Sequence, residues 1–214
     1  MKLFSIRSAD ITQEDRDLVR SCFPGRFAKA ERLLRQEDRL TAVGAGVLLH
    51  EVLGITDERL IQKTEEGKPY LAGGPQFSLS HSVDRCILAV SKKRIGADIE
   101  KMDGGNLLAA EASLTPRERK WTEASPLNRF HILWARKESV YKAVGGFSDP
   151  REAEVLEERR PDGLYLASAI WEGFALSVCA DEKPGSLIPV DIRRSRNTFL
   201  SMKADLVALQ EVDE

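Results

Sequence analysis

One succession of patterns occurs twice along this 214-residue chain and bounds the folds open to it. In the first half an amphipathic stretch, Leu33 to Leu53, precedes QFSLSHS (76–82) and then RCILAVSKKRIGADIE (85–100). In the second half Leu127 to Val144 precedes LYLASAIW (164–171) and then GFALSVCADEKPGSLIPVDI (173–192). Each set predicts a helix, a strand, a short apolar strand, a polar turn and a further strand ending near an aspartate. The repeated order of helix, hairpin and strand predicts an α+β fold of two similar halves, although unduplicated α+β chains also show such echoes. The glycines of MDGGN (102–106) break helix and strand alike, which places the junction there and the halves at 1–103 and 104–214. Just beyond, Thr115-Pro116-Arg117-Glu118 spells a helix start, with Thr115 capping, Pro116 in the first turn and Glu118 closing a capping box.

Hydrophobic residues make up 42% of the chain, enough for a packed core, and charged residues 31%. With 32 Lys and Arg against 34 Asp and Glu the net charge is −2, which argues against a dedicated nucleic-acid binder but leaves room for a local basic pocket. Cys22, Cys86 and Cys179 are odd in number and widely spaced, so they predict reduced thiols and a cytoplasmic setting rather than a disulfide frame or zinc site. The start, MKLFSIRSADITQED, lacks the apolar core of a signal peptide, and no stretch approaches the roughly 20 apolar residues of a membrane span.

Two segments carry candidate chemistry. In IGADIE the residues Ile95, Ala97 and Ile99 alternate with Gly96, Asp98 and Glu100, so the two carboxylates project from one strand face. Crowded carboxylates need a cation, a shared proton or solvent; a solvated strand end is the plain alternative, since Lys101 and Asp103 follow. In the second long helix Phe130, Leu133, Trp134, Tyr141 and Val144 define an apolar stripe with Lys137 near its centre. Glu138 and Lys142, four residues apart, are neighbours at its edge. A lysine facing the core needs a buried acid, so Lys137 is expected to reach the acidic group of Asp98, Glu100 and Glu138. Those three oxygen donors, with no His/Cys cluster beside them, suit Mg²⁺ bound together with substrate phosphates. Basic and polar groups for a phosphate are at hand in Gly67-Lys68-Pro69, in Ser80-His81-Ser82 and in the run Arg26, Lys29, Arg32, Arg35 and Arg39, whose default is nonetheless a solvated face.

In order, GKPY (67–70), FSLSHS (77–82), IGADIE (95–100) and WARKESVYK (134–142) resemble the blocks of the Sfp-type 4′-phosphopantetheinyl transferases. Their hallmark is similar to (I/V)-G-x-D-x-E followed some forty residues later by W-x-x-K-E-(A/S)-x-x-K. The resemblance implies a pseudo-dimer of two α+β halves with the active site in the cleft between them. It implies transfer of 4′-phosphopantetheine from coenzyme A to a serine of an apo acyl or peptidyl carrier protein, with release of adenosine 3′,5′-bisphosphate. It assigns Asp98, Glu100 and Glu138 to Mg²⁺, Lys142 to the phosphates and leaving group, Lys68 and Pro69 to the adenine and phosphates, and Ser80 and His81 to phosphate. Catalysis then falls to Glu138 and Lys142, with either Glu138 or a water it orients as base for the carrier serine. The chain departs from the pattern at Ala97, and at Thr41 where many members carry an arginine; Arg39 nearby is the implied substitute. A monomer without nucleic-acid or membrane partners is expected, and 104–126 is a candidate carrier dock. The rivals are a non-catalytic coenzyme A-binding regulatory homologue and a metal-dependent phosphodiesterase.

Overall fold

The structure is a computed structural model and describes residues 1–103 and 112–202. The expected junction at 104–106, the start of the 104–126 dock and the end of the C-terminal tail therefore lie outside the described residues.

Strand β1 (Lys2–Arg7) opens the chain and is followed by helices α1 (Gln13–Cys22), α2 (Pro24–Glu31) and α3 (Gln36–Leu53). Short strands β2 (Ile61–Lys63) and β3 (Pro69–Leu71) pair antiparallel around the GKP turn. Then come β4 (Gln76–Ser82), β5 (Arg85–Ser91) and β6 (Ile95–Lys101). The second half supplies α4 (Pro116–Thr122), α5 (Pro126–Val144), β7 (Tyr165–Trp171), β8 (Phe174–Ala180) and β9 (Val190–Asp191). The expected helices, both hairpins and the Thr115–Glu118 capping box are all present.

Two sheets carry the fold, in the orders β4-β5-β1-β9 and β6-β8-β7. The third strand of each set crosses over. β6 leaves its hairpin to pair antiparallel with β8, and β9 leaves its own to run parallel to β1. The strands β5 and β8 are buried at all seven positions, as their mostly apolar sequences lead one to expect, with Arg85, Ser91 and Ser177 as the buried polar exceptions. Alternate residues of β5 serve different cores. Leu88 and Val90 join α1–α3, whereas Ile87 and Ala89 join Ile95, Ala97 and Ile99 of β6 and Phe174, Leu176 and Val178 of β8. A third core, with Phe130, Leu133, Val140 and Leu166, packs α5 on the outer face of the second sheet.

Gly96 sets how closely α5 approaches β6. A Cβ there would lie 2.0 Å from the Ser139 carbonyl oxygen and 2.4 Å from the Ala143 nitrogen. The glycine of IGADIE thus lets the helix backbone rest directly on the strand that carries the acids. At its far end α5 stops on Gly145, whose left-handed φ of 90° suits a residue without a Cβ.

Candidate active site

β4 and β6 are edge strands of different sheets, and they meet along a seam closed by serines. The Ser78 hydroxyl accepts from the Ala97 amide at 3.0 Å, and the Ser82 hydroxyl from the Lys101 amide at 3.0 Å. Between them the Ser80 hydroxyl donates to Asp98 Oδ1 at 2.6 Å. Serines at every second position of one strand thus satisfy the edge of the other, which an unpaired edge requires.

Asp98 and Glu100 project from β6 to one side, as their spacing predicts, and α5 faces them. Lys142 Nζ reaches Asp98 Oδ1 at 2.6 Å and Ser80 Oγ at 3.0 Å. Glu100 Oε1 accepts the indole N–H of Trp134 at 3.1 Å, and the Ser82 hydroxyl lies 3.4 Å from its Oε2. Trp134, Glu138 and Lys142 are successive i, i+4 positions, so one helix face supplies all three. Burial pushes the Asp98 carboxyl above its ordinary range against the pull of Lys142 and Ser80. Burial, then the charge of Asp98, pushes Glu100 up to about 7 against the pull of Trp134 and Lys142. Burial and Asp98 raise Glu138 as well, with Lys142 opposing.

These acids fit a hard divalent cation. Asp98 Oδ2 is buried without a hydrogen-bond partner, and the charge of Asp98 disfavours the ionised forms of Glu100 and Glu138. As the side chains stand, Lys142 balances Asp98, and no group of three His, Cys, Asp or Glu side chains among the described residues is already arranged to hold a metal.

Beside the acids lies a cavity of about 190 Å³ lined by Gly67, Lys68, Pro69, Phe77, Tyr141 and Lys142, among others. It unites three of the expected ligand-binding residues. Lys68 Nζ donates to the Ile95 carbonyl at 3.0 Å, and burial lowers its pKa. Ser80 and His81 part company, because neighbours in a strand face opposite ways. His81 is exposed, yet partial dehydration first, then Lys142 and Arg26, hold its pKa below the ordinary value against Asp98 and Asp38. Arg39 is not among those leading charges; its Nε donates to the Leu33 carbonyl at 2.6 Å in the turn before α3. Arg26 sits on α2, whose first amides are capped by the Glu58 carboxylate at 2.9–3.3 Å.

The expectation for Lys137 is overturned. Its side chain is 1% exposed and pairs with Glu118 Oε1 at 2.9 Å. It also donates to the Pro150 and Ala153 carbonyls at 2.9 and 3.3 Å. Lys137 is therefore turned to α4 and away from the acids, and Glu118 serves as both capping-box residue and counter-ion. The helix stripe shifts accordingly. Tyr141 and Val144 are 40% and 39% exposed, while Val140 and Ala143 are buried beside Phe130 and Leu133. The sequence reading also missed the polar role of Trp134; its i, i+4 spacing to Glu138 was the available signal.

Residues 94–177 match the family model of the 4′-phosphopantetheinyl transferase superfamily, a span that includes the strand with Asp98 and the helix with Glu138 and Lys142. The match takes in two of the four blocks that carry the family resemblance, IGADIE and WARKESVYK. Among curated relatives, the chain is 33% identical over 150 residues to the 4′-phosphopantetheinyl transferase gsp of Aneurinibacillus migulanus, covering 62% of this chain and 63% of that protein. It is 38% identical over 96 residues to a 4′-phosphopantetheinyl transferase of Bacillus subtilis, covering 42% and 43%. A third relative, the L-aminoadipate-semialdehyde dehydrogenase-phosphopantetheinyl transferase of Xenopus laevis, is 33% identical over 109 residues, covering 42% and 36%. Each match spans less than two thirds of the relative's length.

Proposed function

We propose that this protein transfers 4′-phosphopantetheine from coenzyme A to a serine hydroxyl of an apo acyl or peptidyl carrier protein. The observation that carries the reading is the cluster of Asp98, Glu100, Glu138 and Lys142 beside the cavity of Lys68 and Pro69, within and next to the segment that matches the superfamily. In the reaction the serine oxygen bonds to the phosphorus on the pantetheine side of the pyrophosphate. The bond from that phosphorus to the bridging oxygen breaks, and adenosine 3′,5′-bisphosphate leaves.

Lys68 and Pro69 border the nucleotide, and Lys142 offers its ammonium to the pyrophosphate as charge builds on the leaving oxygen. His81 and Arg26 take the 3′-phosphate; Arg26 replaces Arg39 in this role because its charge is felt at His81. Asp98, Glu100 and Glu138 would hold Mg²⁺, which when bound neutralises pyrophosphate charge. Glu138, raised above an ordinary carboxylate by burial, accepts the serine proton directly or through a water it orients. The division into halves 1–103 and 104–214, related as a pseudo-dimer with the site in the cleft between them, is part of this proposal and is supported by the reciprocal crossing of β6 and β9. A monomer suffices for such a site. Among the described residues no helix is long and apolar enough to cross a membrane.

The test is intact-mass measurement of a panel of apo acyl and peptidyl carriers incubated with the protein, coenzyme A and Mg²⁺. The expected result is a mass gain of one phosphopantetheine on at least one carrier. Coenzyme A binding without any mass gain would establish the non-catalytic alternative.

A further inference from the structure

Glu100 has a neutral donor that cannot reverse its role, whereas Asp98 accepts from the Ser80 hydroxyl and the Lys142 ammonium. The indole N–H of Trp134 meets Oε1 at 3.1 Å, while the contact of Ser82 with Oε2 is long, at 3.4 Å. Indole donates one hydrogen bond and accepts none, so this contact has a single sense. Trp134 is half-buried against the third core, which contains Phe130 and Leu133. Its ring is thus held by the α5 side while its N–H faces a carboxylate on β6. A glutamate has three rotatable side-chain bonds, and repulsion from Asp98 and Glu138 favours swinging it away.

We infer that Trp134 is a positioning residue for Glu100: its indole N–H holds Oε1 and leaves Oε2 as the oxygen that receives a divalent cation. The inference rests on the metal reading of the site given above. A lysine in place of Trp134 would neutralise Glu100, whereas a neutral donor orients the carboxylate and leaves its charge for the cation. Groups that orient a metal-binding carboxylate are worth roughly 10–100-fold in metal affinity. Trp134 touches neither phosphate nor carrier serine in this account, so its loss falls on metal binding first.

The test is Mn²⁺ titration of the full-length protein, followed by the paramagnetic resonance of free Mn²⁺, with and without coenzyme A. Trp134→Phe keeps the ring and removes the N–H. It should weaken Mn²⁺ binding by roughly 10–100-fold, leave coenzyme A binding in chelator unchanged and melt close to wild type. In a Glu100→Gln background the same substitution should add no further loss. Wild-type Mn²⁺ affinity in Trp134→Phe would overturn the assignment alone. Absence of Mn²⁺ binding by the wild-type protein would overturn the metal reading and the assignment together. A measurement that needs no tryptophan variant is the indole N–H nuclear resonance of Trp134. In Glu100→Ala, which removes the acceptor, it should shift and lose exchange protection, and an unchanged resonance would likewise overturn the inference.

Discussion

Asp98 is a buried carboxylate with unevenly satisfied oxygens. One carboxylate oxygen takes both Ser80 and Lys142, and the other is buried with no donor. Asp98→Ala should abolish transfer, while melting temperature in chelator stays at or above the wild-type value, because the substitution relieves repulsion and Lys142 can reach solvent. A large destabilisation in chelator would show that Asp98 is structural. Glu138→Gln separates two roles. If Glu138 holds the metal, excess Mg²⁺ should restore part of the rate; if it only takes the proton, the rate should stay low at every Mg²⁺ concentration with metal affinity unchanged. His81 is checked by ligand choice. His81→Ala should weaken coenzyme A about ten- to a hundredfold more than dephospho-coenzyme A, the worth of a hydrogen bond to a charged group. Equal losses for both would remove His81 from the 3′-phosphate.

At the scale of elements, α5 is held on both sides by unlike means. On the β6 side Gly96 permits backbone contact with Ser139 and Ala143. Gly96→Ala must push helix and strand apart, which should cost about 1–3 kcal/mol in stability, as overpacking does, and lower turnover as Glu138 and Lys142 move off the acids. Denaturant melts and steady-state rates check both parts. On the opposite side Lys137 and Glu118 form a buried ion pair that ties α5 to α4 and to the turn at 150–153. Lys137→Met leaves Glu118 uncompensated, so a loss of about 3–5 kcal/mol is expected. Adding Glu118→Leu should recover much of that loss, because two apolar side chains replace a buried pair. Near-native stability of Lys137→Met alone would contradict the geometry.

At the scale of the whole molecule Arg85 of β5 ties the two sheets: it pairs with Glu172 of the β7–β8 turn at 2.8 Å and lies near the rings of Trp171 and Phe174, while Arg94 and Asp181, paired at 2.9 Å, extend the β6–β8 ladder. The site between the sheets shapes the pH response. Glu100 has a higher pKa folded, about 7, than its ordinary 4.5, so between those values the folded state binds the proton more tightly than the unfolded chain. Its contribution to stability in chelator therefore falls as pH rises from about 4.5 through about 7. Thermal melts at pH 5 and pH 8 should show a steeper decline in wild type than in Glu100→Gln, and Mg²⁺ should reduce the difference at pH 8. Equal slopes would mean that Glu100 ionises normally.

Local period and chemistry made much of this legible from the chain alone. Alternation placed Asp98 and Glu100 on one face of a strand, the Thr115–Glu118 spacing marked a helix start, and the i, i+4 step joined Glu138 to Lys142. These depend on backbone geometry within a few residues, which composition and spacing encode directly. The partner of Lys137 did not follow in the same way. A buried lysine demands an acid, but Glu118 and the Asp98 group both qualified, and only the packing of α4 against α5 chose Glu118. The proposal of Arg26 over Arg39 has a similar origin, since both sit in one basic run and the tertiary structure lets the Arg26 charge act on His81. The crossing of β6 and β9 into each other's sheets also lay beyond local pattern. Pairing between strands far apart in sequence is decided by which edges and apolar faces are left to bury once the hairpins and helices have formed.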